Sequence, residues 1–599
     1  MDPTADPCQD FHQFTCGGYY AKRQQPTDIS SISPAKTLKE INDLILLSIV
    51  DAPLDRIPKA DPGDVAAQNN INKIKDFFSS CMDEAAILEA GRKPLVDEIQ
   101  KIKLFLSASD SPPDKSTLSK MLALVTKYGF EYPSFIQLRV DSHPTKPSEN
   151  VLIVNENGLG LREVEDYQDG ERLQNYIETT ATMFQIVWGY EDVATRALPL
   201  APSNAGQGWL DIAKEVVGFE MQLAGIKTPW SDLLDRAKTN NPCTTEELSA
   251  LTPSSIDWSL LLQKALPSGL DASPPVIVRS PTYLTKLDAL LQKTPAKTLQ
   301  HYFSWIVIRN LAKHLGEPYK KYLTDFKGIA STVLPGTTNR MSVCLKSVNT
   351  NLGHITTHYF VEKTFGTQNR DQIVAIIDSI IDGYEYNFRS TKWPDQITRK
   401  GAIKKLKAIV KLVGYTTDNP NDGSSTSLDK YYRDFTVAAN DYFGNQVRHS
   451  IWSTAKAFSQ LPLPRVRGST MAGPPQEVNA YYKARENSIS IMAGMLHMQY
   501  FHAENPEYVN YGAIGTIGGH EIGHAFDNNG RLSDSTGGNT KWWTDATTQM
   551  FEEKTQCLVR QYGAFTVQGP DGEDLHVNGE NTLPENIADN TGAKMAFRT

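Results

Sequence analysis

Five residues, His520–Glu521–Ile522–Gly523–His524, constrain this chain more than any other feature. On a helix the two histidines stand four apart and leave the same face, so both imidazoles can reach one cation. Glu521 is then rotated about 100° from His520. That puts it beside the cation rather than on it, where a general base for a metal-activated water belongs. The bland alternative is two ordinary helix histidines with an unrelated glutamate, since composition alone spells the pattern in roughly one chain in a hundred of this size. The surrounding YGAIGTIGGHEIGHAFD, Tyr511 to Asp527, reads as a helix although its glycines lower helix propensity. Those glycines imply tight packing against a neighbour.

A site for one cation needs a third ligand. Gly at 527 and His at 530 would mark the metzincin class, but the chain has Asp527 and Gly530, which excludes it. Downstream, TLPENIADNTG sets Glu585 and Asp589 four apart, so one helix face offers a carboxylate to the cation and another beside it. A metal-bound histidine normally donates its second N–H to a carboxylate. Asp589 suits that role, and Asp527 is a second candidate. Glu585 also has a bland reading, because Thr582-x-x-Glu585 with Pro584 between spells a capping box at a helix start. Alone, that reading is the stronger; with HEIGH upstream, the ligand reading overtakes it.

The rest of the chain bounds the setting. At 599 residues it is long enough for more than one hydrophobic core. The apolar content of 40% and charged content of 22% are those of a globular protein, and a net charge of −9 argues against a nucleic-acid partner. No apolar run approaches the roughly 18 residues of a membrane span, and MDPTADPCQDF has no signal-peptide pattern. Most of the first 400 residues carry helical periodicity, as in 94–106, 209–226 and 371–388. The stretch 402–415 does the same, with Gly414 as its expected C-cap. Strands are expected at 133–143 and 150–161, and an edge strand within 477–494. The polar segment Thr416–Ser427 is the best candidate boundary. It divides the chain into a mainly helical region 1–425, a connecting region 426–477 and a zinc-binding region 478–599. Six cysteines, at 8, 16, 81, 243, 344 and 557, include no CxxC pair, so they do not spell a structural zinc site. They fit either long-range disulfides or buried thiols.

Three blocks, VNAYY (Val478–Tyr482), GHEIGHAFDNNGR (Gly519–Arg531) and ENIAD (Glu585–Asp589), resemble the neprilysin and endothelin-converting-enzyme family of zinc metallopeptidases. The opening DPCQDFHQFTCGGYY, SCMDE (Ser80–Glu84), VCLKSVNTNLG (Val343–Gly353) and WPDQITRKGAIKKL extend the resemblance over essentially the whole chain. It implies a mainly α, two-lobed zincin of the gluzincin type with small β-sheets and a large helical lobe enclosing the active-site cavity. It implies one Zn2+ held by His520, His524 and Glu585, with Glu521 as general base and Asp589 as partner of a histidine. Asn479 and the backbone of Ala480 would align small peptide substrates, cut on the amino side of apolar residues. An extracellular or cell-surface location and a Cys81–Cys344 disulfide are also implied.

The resemblance pairs Cys8, Cys16 and Cys557 with positions beyond Thr599, and Cys243 has no counterpart. Its intermediate-stabilising histidine and substrate-binding arginine also fall beyond Thr599, so the chain reads as truncated. The alternative expectation is a pseudo-peptidase acting as a peptide-binding or scaffold protein. Near the site, Ala484 and Met492 replace prolines usual in the family, and Pro584 and Thr591 replace glycines.

Overall fold

The computed structural model describes the chain apart from residues 23–32, 54–56, 58–62, 107, 189–205, 235–237, 272, 317–318, 320–339 and 570–571. It is mainly helical, with three small sheets. Helices occupy the expected periodic stretches, at Lys93–Lys103, Gln207–Ile226 and Thr367–Ser390. Their apolar stripes feed two separate cores. One draws on residues between Leu95 and Leu315 together with Phe443, Val447 and Phe458 from the helix Tyr442–Phe458. The other joins residues 46–87 and 344–442 to the C-terminal region from Ala480 onward. These two cores define two lobes, called here the distal and the catalytic-region lobe.

The distal lobe holds a four-stranded sheet in the order β1-β2-β4-β3, formed by β1 (Ile136–Ser142), β2 (Asn150–Glu156), β3 (Asn241–Cys243) and β4 (Val276–Val278). The two expected strands are β1 and β2, paired antiparallel from Ile136↔Glu156 to Ser142↔Asn150. Leu138, Leu152, Val154, Val276 and Val278 enter the main core, while Val151, Ile153 and Ile277 cluster separately. Side chains alternate across a strand, so that second cluster marks the opposite face.

In the catalytic-region lobe, the strands β5 (Val410–Gly414), β6 (Ala480–Lys483) and β7 (Ser488–Met492) form a sheet in the order β5-β7-β6. β5 corrects the expectation of one helix over 402–415. The helix Gln396–Lys407 stops there, and Val410–Gly414 pairs in parallel with β7. Helical propensity yields because Leu412, Val413 and Gly414 are buried in strand positions. Gly414 ends a strand rather than capping a helix; its φ is +83°, and a Cβ would lie 2.6 Å from the Phe365 ring. The polar segment after it is packed: Thr416 and Asp422 are buried, and Asp422 accepts from Thr416 N and pairs with His354 at 2.8 Å. A third sheet, β8 (Thr566–Gln568) with β9 (Asp574–His576), is an exposed hairpin.

A disulfide joins Cys81 to Cys344 across a sequence separation of 263, tying the helix Val65–Met82 to Arg340–Asn351. Cys8, Cys16, Cys243 and Cys557 are free thiols. No described helix is long and apolar enough to cross a membrane.

Candidate metal centre and active site

The histidine pair sits at the end of a composite helix. Glu507–Asn510 runs through a π-helical turn, Tyr511–Gly515, into Thr516–Gly523, where the helix stops with His524 as its C-cap. Against it lies the helix Leu583–Arg598. The glycines explain how closely the two approach. A Cβ on Gly519 would meet the Gly592 carbonyl oxygen at 2.8 Å, one on Gly523 the Ala588 Cα at 2.9 Å, and one on Gly592 the His520 backbone nitrogen at 2.5 Å. Tyr384 donates its hydroxyl to the Gly519 carbonyl at 2.8 Å. This backbone-to-backbone approach is what carries Glu585 and Asp589 to the histidines.

Three donor atoms converge at that seam. The Nε2 atoms of His520 and His524 are 3.0 Å apart, and Glu585 Oε2 lies 3.4 Å from the first and 3.5 Å from the second. Both rings are held from behind. His520 Nδ1 donates to Asp589 Oδ1 at 2.8 Å, and His524 Nδ1 donates to Asp527 Oδ2 at 2.7 Å. Asp527 is itself fixed, since its Oδ1 accepts from the backbone of Asn529 and Gly530 at 2.7 and 2.6 Å. Each of the two carboxylates considered from the sequence thus serves a different histidine.

This donor set fits a cation. Because carboxylates accept, each Nδ1 carries its ring's proton, and both neutral rings point Nε2 lone pairs at one place. Two lone pairs 3.0 Å apart with a carboxylate beside them repel unless positive charge lies between them. Tetrahedral zinc with bonds near 2.0–2.1 Å has ligand-to-ligand edges of about 3.3 Å, close to the three observed. Electrostatics agree. Burial disfavours charge on both histidines, yet the hydrogen bonds to Asp589 and Asp527 and the surrounding carboxylates hold both above the ordinary histidine range. Among the described residues, His520, His524 and Glu585 are the one cluster of three such side chains able to share an ion.

Glu521 is 6% exposed and lies beside this triangle, within electrostatic reach of His520, His524 and Glu585. Burial pushes its carboxyl up to about 7, with the adjacent histidines and the Tyr482 backbone N–H pulling the other way. That N–H belongs to β6, the outermost strand of its sheet. Ala480 begins β6, and Asn479 precedes it, its side chain donating to the Tyr481 hydroxyl at 2.9 Å. The capping-box reading of Glu585 fails. Thr582 makes no side-chain cap but donates to the Asn578 carbonyl, leaving Glu585 free to turn toward the histidines.

The sequence did not reveal Lys405. It is fully buried on Gln396–Lys407, and its ammonium donates to the carbonyls of Ala525, Gly530 and Ser533 at 2.8, 2.7 and 2.6 Å. It thereby pins the loop that carries Asp527. Nothing in the lysine-rich GAIKKLKAI singles it out, because its role depends on a loop more than a hundred residues away.

A two-histidine helix faced by a carboxylate helix, beside a sheet edge and a buried glutamate, defines a metallopeptidase of the zincin class. Family models agree: the N-terminal model of peptidase family M13 matches residues 7–416, and the M13 peptidase model matches 479–599. The chain belongs to peptidase family M13. It is accordingly a metalloendopeptidase that depends on a bound metal ion and acts on peptides. Among its relatives, endothelin-converting enzyme 1 of Bos taurus is 30% identical over 604 residues, covering all of this chain and 75% of the relative. Neprilysin-3 of Drosophila melanogaster is 27% identical over 610 residues, again over the whole chain and 73% of the relative. In fold the chain resembles the zinc metalloprotease Zmp1 of Mycobacterium tuberculosis solved with an inhibitor, at TM-score 0.83 and 24% identity over 100% of this chain and 85% of that one. PepO of Lactobacillus rhamnosis is similar at TM-score 0.79 and 20% identity, covering 99% and 87%.

Proposed function

We propose that the protein is a zinc-dependent endopeptidase of small peptides in which His520, His524 and Glu585 hold one zinc ion. The observation carrying this reading is the triangle of donor atoms, with both Nδ1 protons committed to Asp589 and Asp527. Zinc in that position supplies Lewis acidity, polarising a carbonyl oxygen and making water easier to deprotonate. Glu521 takes the proton from the water that attacks the scissile carbonyl carbon. As the C–N bond breaks, it returns that proton to the leaving amine nitrogen. Burial keeps Glu521 basic enough to accept the proton and acidic enough to give it back near neutral pH.

The substrate lies along β6 as an added strand. Among the described residues no strand pairs with the outer edge of β6, and Asn479 and Ala480 stand at its start. Cleavage falls on the amino side of apolar residues, as the family resemblance implies. The segment 478–599 supplies the metal-binding and substrate-aligning residues, and the helical region before it restricts access to small peptides. The Cys81–Cys344 disulfide supports an extracellular or cell-surface location. Hydrolysis of quenched peptides, with product sequencing, tests this reading. Glu521→Gln should lose about 10²–10⁴ of the rate while keeping zinc; equal rates for the two proteins would refute the role of Glu521.

A further inference from the structure

Away from the metal triangle, three arginines meet where the lobes touch. Arg139 projects from β1 and Arg279 follows β4, both in the distal sheet. Arg485 comes from the turn between β6 and β7 in the other lobe. All three line one small recess of about 30 Å³, together with Ile153 and Ile277 of the distal sheet and Asn539 of the opposing lobe. The lobes are joined at its rim: Asn539 N donates to the Pro144 carbonyl at 2.9 Å, and Arg485 Nη1 to the Ser142 carbonyl at 3.2 Å.

The guanidinium groups are rich in unused donors. Among the described residues, their hydrogen bonds to protein are that Arg485 bond and one from Arg279 Nη2 to the Leu233 carbonyl at 2.8 Å. The acidic groups beside them do not saturate them. Asp141 Oδ2 is 3.3 Å from Arg139 and 3.8 Å from Arg485, and Glu156 acts on Arg279 while also accepting from Thr228 N. Among the described residues, three cations therefore face two carboxylates, in a recess floored by apolar side chains. Burial, and then the like charges of Arg139 and Arg485, hold Arg279 below its ordinary value, a strain that a bound anion relieves.

We propose that Arg139, Arg279 and Arg485 form an oxyanion-binding site across the lobe junction, taking a carboxylate or phosphate group in forked guanidinium hydrogen bonds. Guanidinium geometry matches both groups. Because two arginines belong to one lobe and one to the other, the bound anion bridges the lobes. Two sources share this chemistry, a free oxyanion and an acidic side chain of a peptide.

Calorimetric titration of the zinc-loaded protein with inorganic phosphate, at ionic strength fixed with chloride, tests the first source. The expected result is saturable binding that weakens about tenfold or more in Arg139→Gln/Arg485→Gln, and likewise in Arg279→Gln. Fluorescence anisotropy with two peptides differing by one Glu or Gln, on Glu521→Gln protein, tests the second. A preference for the Glu peptide that vanishes in the double variant assigns the site to peptide carboxylates. Variant-sensitive phosphate binding without that preference assigns it to a free oxyanion. Phosphate binding that is absent or equal in wild type and variants, together with no variant-sensitive peptide preference, overturns the proposal. The phosphate titration needs no turnover, so its failure is distinct from failure of the peptidase reading.

Discussion

Asp527 and Asp589 show how much of the proposed metal centre is set by side chains outside its ligand triangle. Each fixes one imidazole through Nδ1, so the tautomer and direction of both Nε2 lone pairs are decided before any cation arrives. Asp527 is buried and braced by two backbone N–H groups, whereas Asp589 has a side chain 68% exposed. Losing Asp527 therefore disturbs both the ring and the loop behind it. Asp527→Asn and Asp589→Asn should each weaken zinc binding about 10–100-fold, with Asp527→Asn at the upper end. Competition against a chromogenic chelator measures this, and unchanged affinity in both variants would contradict the bracing role.

Between elements, the decisive feature is the close seam of Thr516–Gly523 against Leu583–Arg598. The sequence glycines implied a tight neighbour but not which one, because the partner glycine, Gly592, is more than seventy residues away. Gly592→Ala places a methyl 2.5 Å from the His520 nitrogen and must push the helices apart. It should destabilise the protein by about 1–3 kcal/mol and lower zinc affinity in the same variant. Urea unfolding and chelator competition check the two effects, and a loss of stability with unchanged zinc affinity would sever seam from site. Lys405→Met tests the other support. It leaves three buried carbonyls without their donor and should cost about 3 kcal/mol, read as a lower urea midpoint. Elements with strong periodicity were legible in advance, as were the strands β1 and β2. β5 was not, because Ala402–Val413 keeps helical spacing while its last residues are claimed by pairing with β7.

Across the whole molecule, two cores are sewn together by segments that sequence order does not suggest. The helix Tyr442–Phe458 contributes to the distal core from within the expected connecting region, and β5 pairs across the expected boundary with β7. Composition marked Thr416–Ser427 as polar, but polarity there serves buried turns around Asp422. His314 and His449 set an acid limit on this assembly. Burial pushes them down to about 3 and about 4, while an unfolded histidine titrates near 6.5. The unfolded chain thus binds protons that the folded one refuses. The resulting stability is complete above about pH 6.5 and is lost as pH falls toward 4. Thermal melts at pH 7 and pH 5 should show a smaller loss in His314→Gln and His449→Gln than in wild type; identical losses would contradict the assignment. The proposed metal site was largely readable, since HEIGH and ENIAD each carry their candidate pairs at helical spacing. Bringing those pairs together depended on packing that spacing does not encode. The most direct measurement is zinc content by mass spectrometry after dialysis against buffer stripped of free metal. One zinc per chain in the wild type, retained in Glu521→Gln and lost in His520→Ala and Glu585→Ala, is the result this account predicts. Zinc absent from the wild type, or retained in full by both ligand variants, would contradict it.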